Sequence, residues 1–503
     1  MPPRQRDTSY PSALAHLTLL QSNRAVTALF TAPVPAGDTG TDLNALALPE
    51  MLAWLARAGY DPASLAAAGL RCVHVAGTKG KGSVGALVAS VLGRYGSGRV
   101  GLYTSPHVVG VRERIVVDGR AVGEEVFARY FFEVWDRLSE AARERGEGEP
   151  EGPGTKPFYF RFLTILALHV FVREGVRDVV VECGIGGEYD ATNVLPAEVV
   201  SAAVVTQLGI DHVAMLGDTV EKIAWNKAGI FKKGVKAFTR RLDHQEGVMK
   251  VLRERAAEKG ATLVEIGDEE VERWEGVKGA KLEGPFQKYN MALAVAAARE
   301  HLIKGGFKLE GEFGREGYAL SSIPEKFETG LREASLRGRC EIFKDEDGIE
   351  WFIDGAHTED SLAGVGQWFA GKTTDDDGVR ILVFNQQERD PAMLLAALLS
   401  ATEHVAHTVP VFTHAIFTRN EEQEPIEGEP TRDLTVQITA KDTLQSFGGD
   451  TEAYIQNAVQ LSVEQIRSLA VQARKNGKSC KVLVTGSFHL IGAVVKTIDH
   501  VEY

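Results

Sequence analysis

Two lysines and three glycines stand close together in the stretch GTKGKGS, which directly follows the apolar run LRCVHVA. Glycines let neighbouring backbone N–H groups turn toward one ligand, and a helix N-terminus adds a partial positive charge. Lys81 can reach the β- and γ-phosphates of a nucleotide, and the Ser83 hydroxyl is a ligand that Mg²⁺ accepts. The stretch therefore predicts a phosphate-binding loop. Its residues are Gly77, Thr78, Lys79, Gly80, Lys81, Gly82 and Ser83.

This loop departs from the usual pattern GxxxxGK[ST]. Val75 stands at the first glycine position, and Gly82 separates Lys81 from Ser83. A flexible turn with solvated lysines is the alternative, but a strand before the loop and a helix after it favour phosphate binding. Because kinases, GTPases and ligases all use such a loop, it does not name a reaction by itself.

Glu182 ends the apolar stretch VVVE and is followed by the glycine-rich stretch CGIGGEYDATN. In an open α/β sheet, ligands bind at the carboxyl ends of the strands. A carboxylate at that place suits Mg²⁺, and the glycines let a ligand approach. A dinucleotide-binding loop and a plain acidic residue at a strand end remain open as alternatives.

His212 and Lys227 belong to the stretch TQLGIDHVAMLGDTVEKIAWNKAGIFKKG. His212 follows an apolar strand, beside Asp211 and at the same predicted sheet edge as Glu182, which favours a ligand over a structural histidine. Lys227 lies in the segment 218–232, which we predict to be helical. A solvated surface lysine is the ordinary alternative for Lys227.

Asp354 and His357 follow a strand in the stretch FIDGAH, and Gly355 permits a tight turn between them. An acid and an imidazole three residues apart could bind a ribose and a phosphate. A simple turn at a strand end is the alternative that this hexapeptide leaves open.

Strands that alternate with helices must position these residues. Apolar, β-branched stretches alternate with helical patterns up to about residue 303, which predicts an α/β fold with a parallel sheet covered on both faces. The Gly-rich, charged segment around 304–335 reads as a linker, and a second α/β unit follows it. We therefore predict two domains, 1–333 and 334–503.

Composition limits the classes of function. The chain has 503 residues and a net charge of −13, which argues against a nucleic-acid-binding protein. Its four cysteines form no CxxC pair and fit a reducing compartment. No apolar run reaches the roughly 18 residues that span a bilayer, so membrane insertion is not expected. We expect a cytoplasmic protein, and Arg4 and Arg6 near the N-terminus leave a mitochondrial pool open.

Nine stretches together resemble the folylpolyglutamate synthase family of Mur-type ATP-dependent amide ligases, in the order of that family and across about residues 70–495. They are GTKGKGS (77–83), YTSPHVVGVRERI (103–115), FYFRFLTILAL (158–168), ECGIGGEYDATN (182–193), LGIDHVAMLGDTVEKIAWNKAGIFK (208–232), LRGRCE (336–341), FIDGAHT (352–358), FNQQERDP (384–391) and VTGSFHLIG (484–492).

The resemblance implies a P-loop N-terminal domain with a parallel-rich sheet, which holds the folate site, and a smaller Rossmann-like C-terminal domain. It implies that the phosphate-binding loop holds the triphosphate of ATP, that Lys81, His212 and Lys227 serve catalysis, and that Lys227 is carbamoylated. The implied magnesium environment is Ser83, Thr104, Ser105, Glu182, His212 and Lys227. The implied nucleotide contacts outside the loop are Asn290, Arg339, Asp354 and His357.

The implied reaction is the ATP-dependent addition of L-glutamate to the γ-carboxylate of reduced folates and their polyglutamates through an acyl phosphate. ATP and Mg²⁺ are the implied cofactors, a monovalent cation such as K⁺ stays open as a further one, and a monomer is expected. Binding of nucleic acid is not expected.

Three rival functions stay in view. Dihydrofolate synthase, which adds the first glutamate to dihydropteroate, shares the motifs, although Lys79 resembles the eukaryotic polyglutamate enzyme, whereas bacterial bifunctional members tend to have Asn there. A P-loop switch protein lacks support, because Asn226 and Lys227 are followed by Ala228 and Gly229 rather than by a base-reading NKxD. A dinucleotide enzyme lacks a clean GxGxxG and leaves the lysine-rich loop unexplained.

Overall fold

The computed structural model describes residues 6–20, 43–96, 98–309, 311–373, 377–387, 389–406, 411–426 and 430–499. Residues 1–5, on which the mitochondrial alternative partly rests, lie outside them. The chain forms two compact units. The first comprises the described residues up to His107 with Val111–Gly279 and Lys288–Ala334. The second comprises Val108–Gly110, Ala280–Gln287 and the described residues from Ser335 on.

The first unit contains an eight-stranded sheet in the order β4-β3-β2-β5-β1-β6-β7-β8. Its strands are β1 (Arg71–Ala76), β2 (Val100–Tyr103), β3 (Ile115–Val117), β4 (Arg120–Ala121), β5 (Asp178–Glu182), β6 (Val200–Val205), β7 (Lys236–Arg241) and β8 (Thr262–Gly267). The six neighbouring strands β2, β5, β1, β6, β7 and β8 pair in parallel. Strands β3 and β4 add an antiparallel edge beside β2. Since β5, β1 and β6 are neighbours, the loops that follow them start at one edge of the sheet.

Helices connect these strands. They are α1 (Tyr10–Thr18), α2 (Leu43–Arg57), α3 (Pro62–Ala67), α4 (Lys81–Gly93), α5 (Glu124–Glu144), α6 (Tyr159–Arg173), α7 (Val213–Leu216), α8 (Val220–Lys227), α9 (Glu246–Lys259), α10 (Asp268–Trp274), α11 (Gln287–Lys304) and α12 (Glu325–Glu333). Helix α4, which begins in the phosphate-binding loop, is buried around most of its circumference, including Val84, Leu87 and Leu92. The apolar pattern of α4 thus reflects a central helix rather than a surface helix.

The segment predicted as a linker is instead part of the first unit. Helix α12 packs on α4, and the hydroxyl of Ser90 donates to the carbonyl of Gly330 at 2.7 Å. Phe327 and Leu331, four residues apart on α12, are fully buried. The linker prediction was wrong because charged residues and glycines around these two apolar positions obscured a short amphipathic helix.

The second unit contains a six-stranded sheet in the order β13-β12-β11-β14-β10-β9, with only β9 antiparallel to its neighbour. Its strands are β9 (Glu341–Lys344), β10 (Glu350–Ile353), β11 (Val379–Phe384), β12 (His414–Thr418), β13 (Glu452–Gln456) and β14 (Cys480–Thr485). Its helices are α13 (Glu359–Thr373), α14 (Pro391–Ala406), α15 (Thr435–Ser446), α16 (Val459–Lys475) and α17 (Phe488–Asp499). Apolar clusters cover both faces of this sheet, as a parallel sheet requires.

Burial of α4 makes a testable prediction about stability. Leu87→Ala removes a fully buried side chain of α4 and should cost about 2–5 kcal/mol of unfolding free energy, because it leaves a cavity. Leu52→Ala, at a residue of α2 that is 38% exposed, is the control and should cost within about 0.5 kcal/mol. Urea unfolding followed by circular dichroism measures both. Equal midpoints for the two variants would contradict the described burial of α4.

Candidate active site

The phosphate-binding loop is held by the backbone of the loop that follows β6. The N–H of Thr78 donates to the carbonyl of Gln207 at 2.8 Å, and the hydroxyl of Thr206 donates to the carbonyl of Lys79 at 2.6 Å. Gly77 has a φ of +150°, and a Cβ atom there would overlap the side chain of Thr206. Glycine at position 77 is therefore required by both conformation and space.

Gly80 and Asn290 meet at the start of helix α4. Gly80 is the N-cap of α4 with a left-handed φ of +85°, and a Cβ atom there would overlap the amide of Asn290. The Asn290 side chain is buried in α11 and so lies against the phosphate-binding loop. Asn290, which the resemblance implied as a nucleotide contact, is thus placed beside that loop.

Lys81, Glu182 and Ser105 lie at the same sheet edge. The Lys81 Nζ atom is 3.9 Å from the Glu182 Oε1 atom, and the backbone N–H of Ser105 donates to the Glu182 Oε2 atom at 3.1 Å. Thr104 is buried beside Ser105, and Ser83 is buried in the first turn of α4. The structure therefore gathers hydroxyls, one carboxylate and one ammonium near the loop.

Buried hydrogen bonds organise the stretch after Glu182. The Asp190 carboxylate accepts from the backbone N–H groups of Gly184 and Ile185 at 2.9 and 3.0 Å and from the Thr192 hydroxyl at 2.6 Å. Burial raises the pKa of Asp190, and these hydrogen bonds oppose that rise. The sequence did not predict this role of Asp190 in holding the loop after Glu182, and its place in the glycine-rich stretch CGIGGEYDATN is the one sequence signal for it.

Lys227 is a buried lysine and not the solvated surface residue of the ordinary alternative. Its Nζ atom donates to the carbonyl of Gly77 at 2.7 Å. Burial, followed by repulsion from Lys81, lowers the pKa of Lys227 to about 7. A large share of this amine is therefore neutral near pH 7, and a neutral amine is a nucleophile.

Helix α8 presents Lys227 through its neighbour Asn226. The amide Oδ1 atom of Asn226 accepts from the N–H of Gly187 at 3.0 Å, and the Asn226 carbonyl accepts from the N–H of Glu188 at 2.7 Å. Asn226 thus ties the loop after Glu182 to the end of α8. The predicted helix, 218–232, is shorter in the structure, with Thr219 as the N-cap of α8 and a 3₁₀ turn, Ala228–Ile230, after Lys227.

His212 lies on the loop between β6 and α7 and its side chain is exposed. It has a φ of +49°, and its backbone N–H donates to the carboxylate of Asp211 at 2.9 Å. The loop is fastened to the phosphate-binding loop, because the hydroxyl of Thr78 donates to the carbonyl of Gly209 at 3.0 Å. His212 therefore stands at the predicted sheet edge, but on its solvent side.

The second unit brings Arg339 and His357 to one aromatic ring, that of Phe488, and Asp354 lies near Arg339. The Arg339 guanidinium lies 4.3 Å from the centre of the Phe488 ring, and the His357 ring lies 5.9 Å from it. Asp354 is buried and accepts from the N–H groups of Cys340 and Ala356, each at 2.8 Å. Burial raises the pKa of Asp354, and Arg339 opposes the rise.

Phe488 was not predicted from the sequence as a neighbour of the candidate site residues. The only signal for it in the sequence was its place in the quoted stretch GSFHL, and apolar residues at the start of a helix usually signal packing. In the structure this ring contacts both the Arg339 guanidinium and the His357 imidazole.

Across the part of the chain that the structure describes, no three His, Cys, Asp or Glu side chains gather into a metal-binding cluster. Magnesium that is held through nucleotide phosphates takes only one or two protein carboxylates, and the remaining ligands are phosphate oxygens and waters. The carboxylate of Glu182, together with the hydroxyls of Ser83 and Thr104 at the same sheet edge, fits such a set.

In the same described residues, no helix is both long and apolar enough to cross a membrane.

Comparison with known proteins supports both the fold and the family. Residues 340–497 match a family model described as the C-terminal domain of dihydrofolate synthetase. A folylpolyglutamate synthase of Mycobacterium tuberculosis complexed with ADP is similar in structure, with a TM-score of 0.68, 23% identity, and coverage of 97% of this chain and 99% of that one. The FolC protein of E. coli, in complex with DHPP and ADP, gives a TM-score of 0.63 at 23% identity, with 99% of each chain covered. These likenesses confirm the predicted α/β fold with its two sheets.

A relative with a closer sequence decides the family. A folylpolyglutamate synthase of Saccharomyces cerevisiae (strain FostersO) is 38% identical over 100% of this chain and 89% of its own length. The same identity and coverage hold for the enzyme of strain YJM789. Identity at this level over the whole chain shows that the protein belongs to the folylpolyglutamate synthase family.

Proposed function

We propose that the protein is a ligase that uses ATP to add L-glutamate to the γ-carboxylate of reduced folates and folylpolyglutamates. One observation carries the proposal beyond family membership. Lys81 and Glu182 lie 3.9 Å apart in the phosphate-binding loop region, and Lys227 is fastened to the same loop through the carbonyl of Gly77. A nucleotide triphosphate at this loop would meet the ammonium group of Lys81 and the carboxylate of Glu182.

The chemistry follows from the weak electrophilicity of a carboxylate. The γ-carboxylate of the folate attacks the γ-phosphorus of ATP, so that an acyl phosphate forms and ADP leaves. The neutral α-amine of L-glutamate then attacks the acyl carbon, an amide bond forms as the nitrogen gives up one proton, and inorganic phosphate leaves with the electron pair of the broken C–O bond. Lys81 neutralises negative charge that develops on the phosphoryl oxygens. No protein nucleophile is required.

Magnesium fits the residues at the loop. Ser83, Thr104, Ser105, Glu182, His212 and Lys227 are the residues proposed to hold it. When bound, Mg²⁺ would neutralise phosphate oxygens and draw electron density from the phosphorus. A monovalent cation such as K⁺ is a further proposed cofactor.

Lys227 is suited to become a carbamate. Its neutral amine can add to CO₂, which gives R–NH–COO⁻ and releases one proton. The carbamate nitrogen keeps one N–H, so the hydrogen bond from this nitrogen to the carbonyl of Gly77 can persist. The reaction would place an anion near the Lys81 cation, in place of an amine whose pKa is lowered first by burial and then by repulsion from Lys81.

The second unit supplies the remaining proposed nucleotide contacts. Arg339 offers a guanidinium to phosphate, and Asp354 and His357 offer a carboxyl group and an imidazole to ribose or phosphate. Asn290 in the first unit is the further proposed contact.

We also propose that the protein works as a monomer in the cytoplasm, where its four free cysteines would stay reduced. A mitochondrial pool is a second proposed location.

Lys81→Ala should lower the rate of ligation by about 10²–10³-fold, because one preorganised positive group is removed from the phosphoryl oxygens. Glutamate-dependent release of phosphate from ATP measures the rate, and a thermal melt establishes that the variant is folded. Lys222→Ala is the control, since Lys222 is an exposed residue of α8 that pairs with Asp218. Turnover of Lys81→Ala at the rate of the unsubstituted protein would contradict the proposal.

The acceptor decides between the two folate ligases that share these motifs. With ATP, Mg²⁺ and labelled glutamate, tetrahydrofolate should yield products lengthened by one glutamate at a time. Dihydropteroate should yield little product under the same conditions. The match of residues 340–497 to a dihydrofolate synthetase domain makes this comparison necessary. Products from dihydropteroate alone would replace the proposed activity by dihydrofolate synthase.

Carbamate formation should follow the protonation of Lys227. Two protons leave between the ammonium form of Lys227, whose pKa is about 7, and its carbamate, so at constant dissolved CO₂ and low occupancy the carbamate should fall about a hundredfold per pH unit well below pH 7. NMR of protein equilibrated with ¹³CO₂ measures it, and Lys227→Ala is the negative control. A carbamate signal that persists in Lys227→Ala would assign it to another lysine.

A further inference from the structure

A cation–aromatic stack fastens the start of helix α11 in the first unit. The Arg240 guanidinium lies 3.6 Å from the centre of the Tyr289 ring. Arg240 is itself held by Asp268, with Nε to Oδ1 at 2.9 Å and Nη2 to Oδ2 at 2.7 Å. A bidentate carboxylate fixes the plane of a guanidinium, so the stack on Tyr289 has one defined geometry.

A second anchor acts on the same turn of α11. The hydroxyl of Tyr289 and the ammonium of Lys288 both donate to the Glu272 carboxylate. Tyr289 is therefore held at its ring by β7, through Arg240, and at its hydroxyl by α10, through Glu272. Partly exposed ion pairs and cation–π contacts contribute little to the free energy of unfolding. Several of them on one turn of a helix are better explained by a role in fixing the position of that turn.

The neighbouring residue supplies that reason. Asn290 directly follows Tyr289, and its amide fills the space that a side chain at Gly80 would need. Gly80 is the N-cap of α4, the helix whose first residue is Lys81. A small rotation of the first turn of α11 would therefore move the Asn290 amide relative to the phosphate-binding loop.

We infer that Arg240 is a positioning residue for nucleotide binding, which acts through Tyr289 to set the place of Asn290 beside Gly80. The inference rests on the proposed use of a nucleotide at this loop. Arg240 acts at a distance, through the ring it stacks on, and no contact between Arg240 and the nucleotide is required.

Titration calorimetry with ADP and Mg²⁺ tests the inference without ligase turnover. Arg240→Ala should weaken ADP binding by roughly five- to twentyfold. The matched control is Arg241→Ala at the adjacent residue, whose side chain pairs with Asp243 and is exposed, and it should bind ADP within about twofold of the unsubstituted protein. Tyr289→Phe keeps the ring but loses the hydroxyl bond to Glu272, so it should weaken ADP binding less than Arg240→Ala does, whereas Tyr289→Leu should weaken it at least as much as Arg240→Ala.

A double-mutant cycle separates positioning from general destabilisation. If Arg240 acts through Asn290, then Arg240→Ala should weaken ADP binding no further once Asn290→Ala is present. Additive losses, or equal binding by Arg240→Ala and Arg241→Ala, would overturn the inference, as would an unsubstituted protein that binds no ADP. Failure of the proposed ligase activity would be seen separately, as an absence of glutamate-dependent ATP turnover while the ADP titrations still decide the role of Arg240.

Discussion

Burial of Lys227 near a second lysine, Lys81, is the constraint on which the candidate site depends. Lys81 has a carboxylate partner, Glu182, whereas Lys227 is buried and hydrogen-bonded to a carbonyl, the oxygen of Gly77. Burial, followed by repulsion from Lys81, lowers the pKa of Lys227, so this amine gives up its proton more readily than a solvated lysine does. The same edge thus offers a fixed cation for phosphate and a reactive amine.

Strand order produces this arrangement. Because β1 lies between β5 and β6, the phosphate-binding loop emerges between the stretch that follows Glu182 and the stretch that follows Thr206. On one side the Thr206 hydroxyl donates to the carbonyl of Lys79, and on the other side the Lys81 Nζ atom lies 3.9 Å from the Glu182 Oε1 atom. A loop rich in glycine, which would cost entropy to order by itself, gains its shape from backbone groups that are already fixed.

Local pattern was enough to predict the strand, the loop and the helix that carry Lys81, and the place of Glu182 at a strand end. It could not predict that Lys227 would be buried, because its partner Gly77 lies 150 residues away in the sequence. The helix pattern around Lys227 fits a surface or an interior position equally well. Helix α12 was missed for a related reason, since Phe327 and Leu331 become meaningful only against the buried face of α4. Whether Lys227 and helix α12 are buried depends on contacts between segments far apart in the sequence, and local composition does not predict those contacts.

The second unit is discontinuous in sequence. Residues 108–110 follow the TSPH stretch of the first unit, yet Val109 is buried in the apolar cluster that covers the sheet of the second unit. Glu283 likewise precedes the boundary at Ala334 but accepts from the Trp368 indole at 2.9 Å and pairs with Lys372 at 2.7 Å. A gene cut at that boundary would leave the carboxyl-terminal product without pieces of its own core. The second unit is thus built from three separate parts of the chain, and an end-to-end fusion of two complete domains would not produce this arrangement.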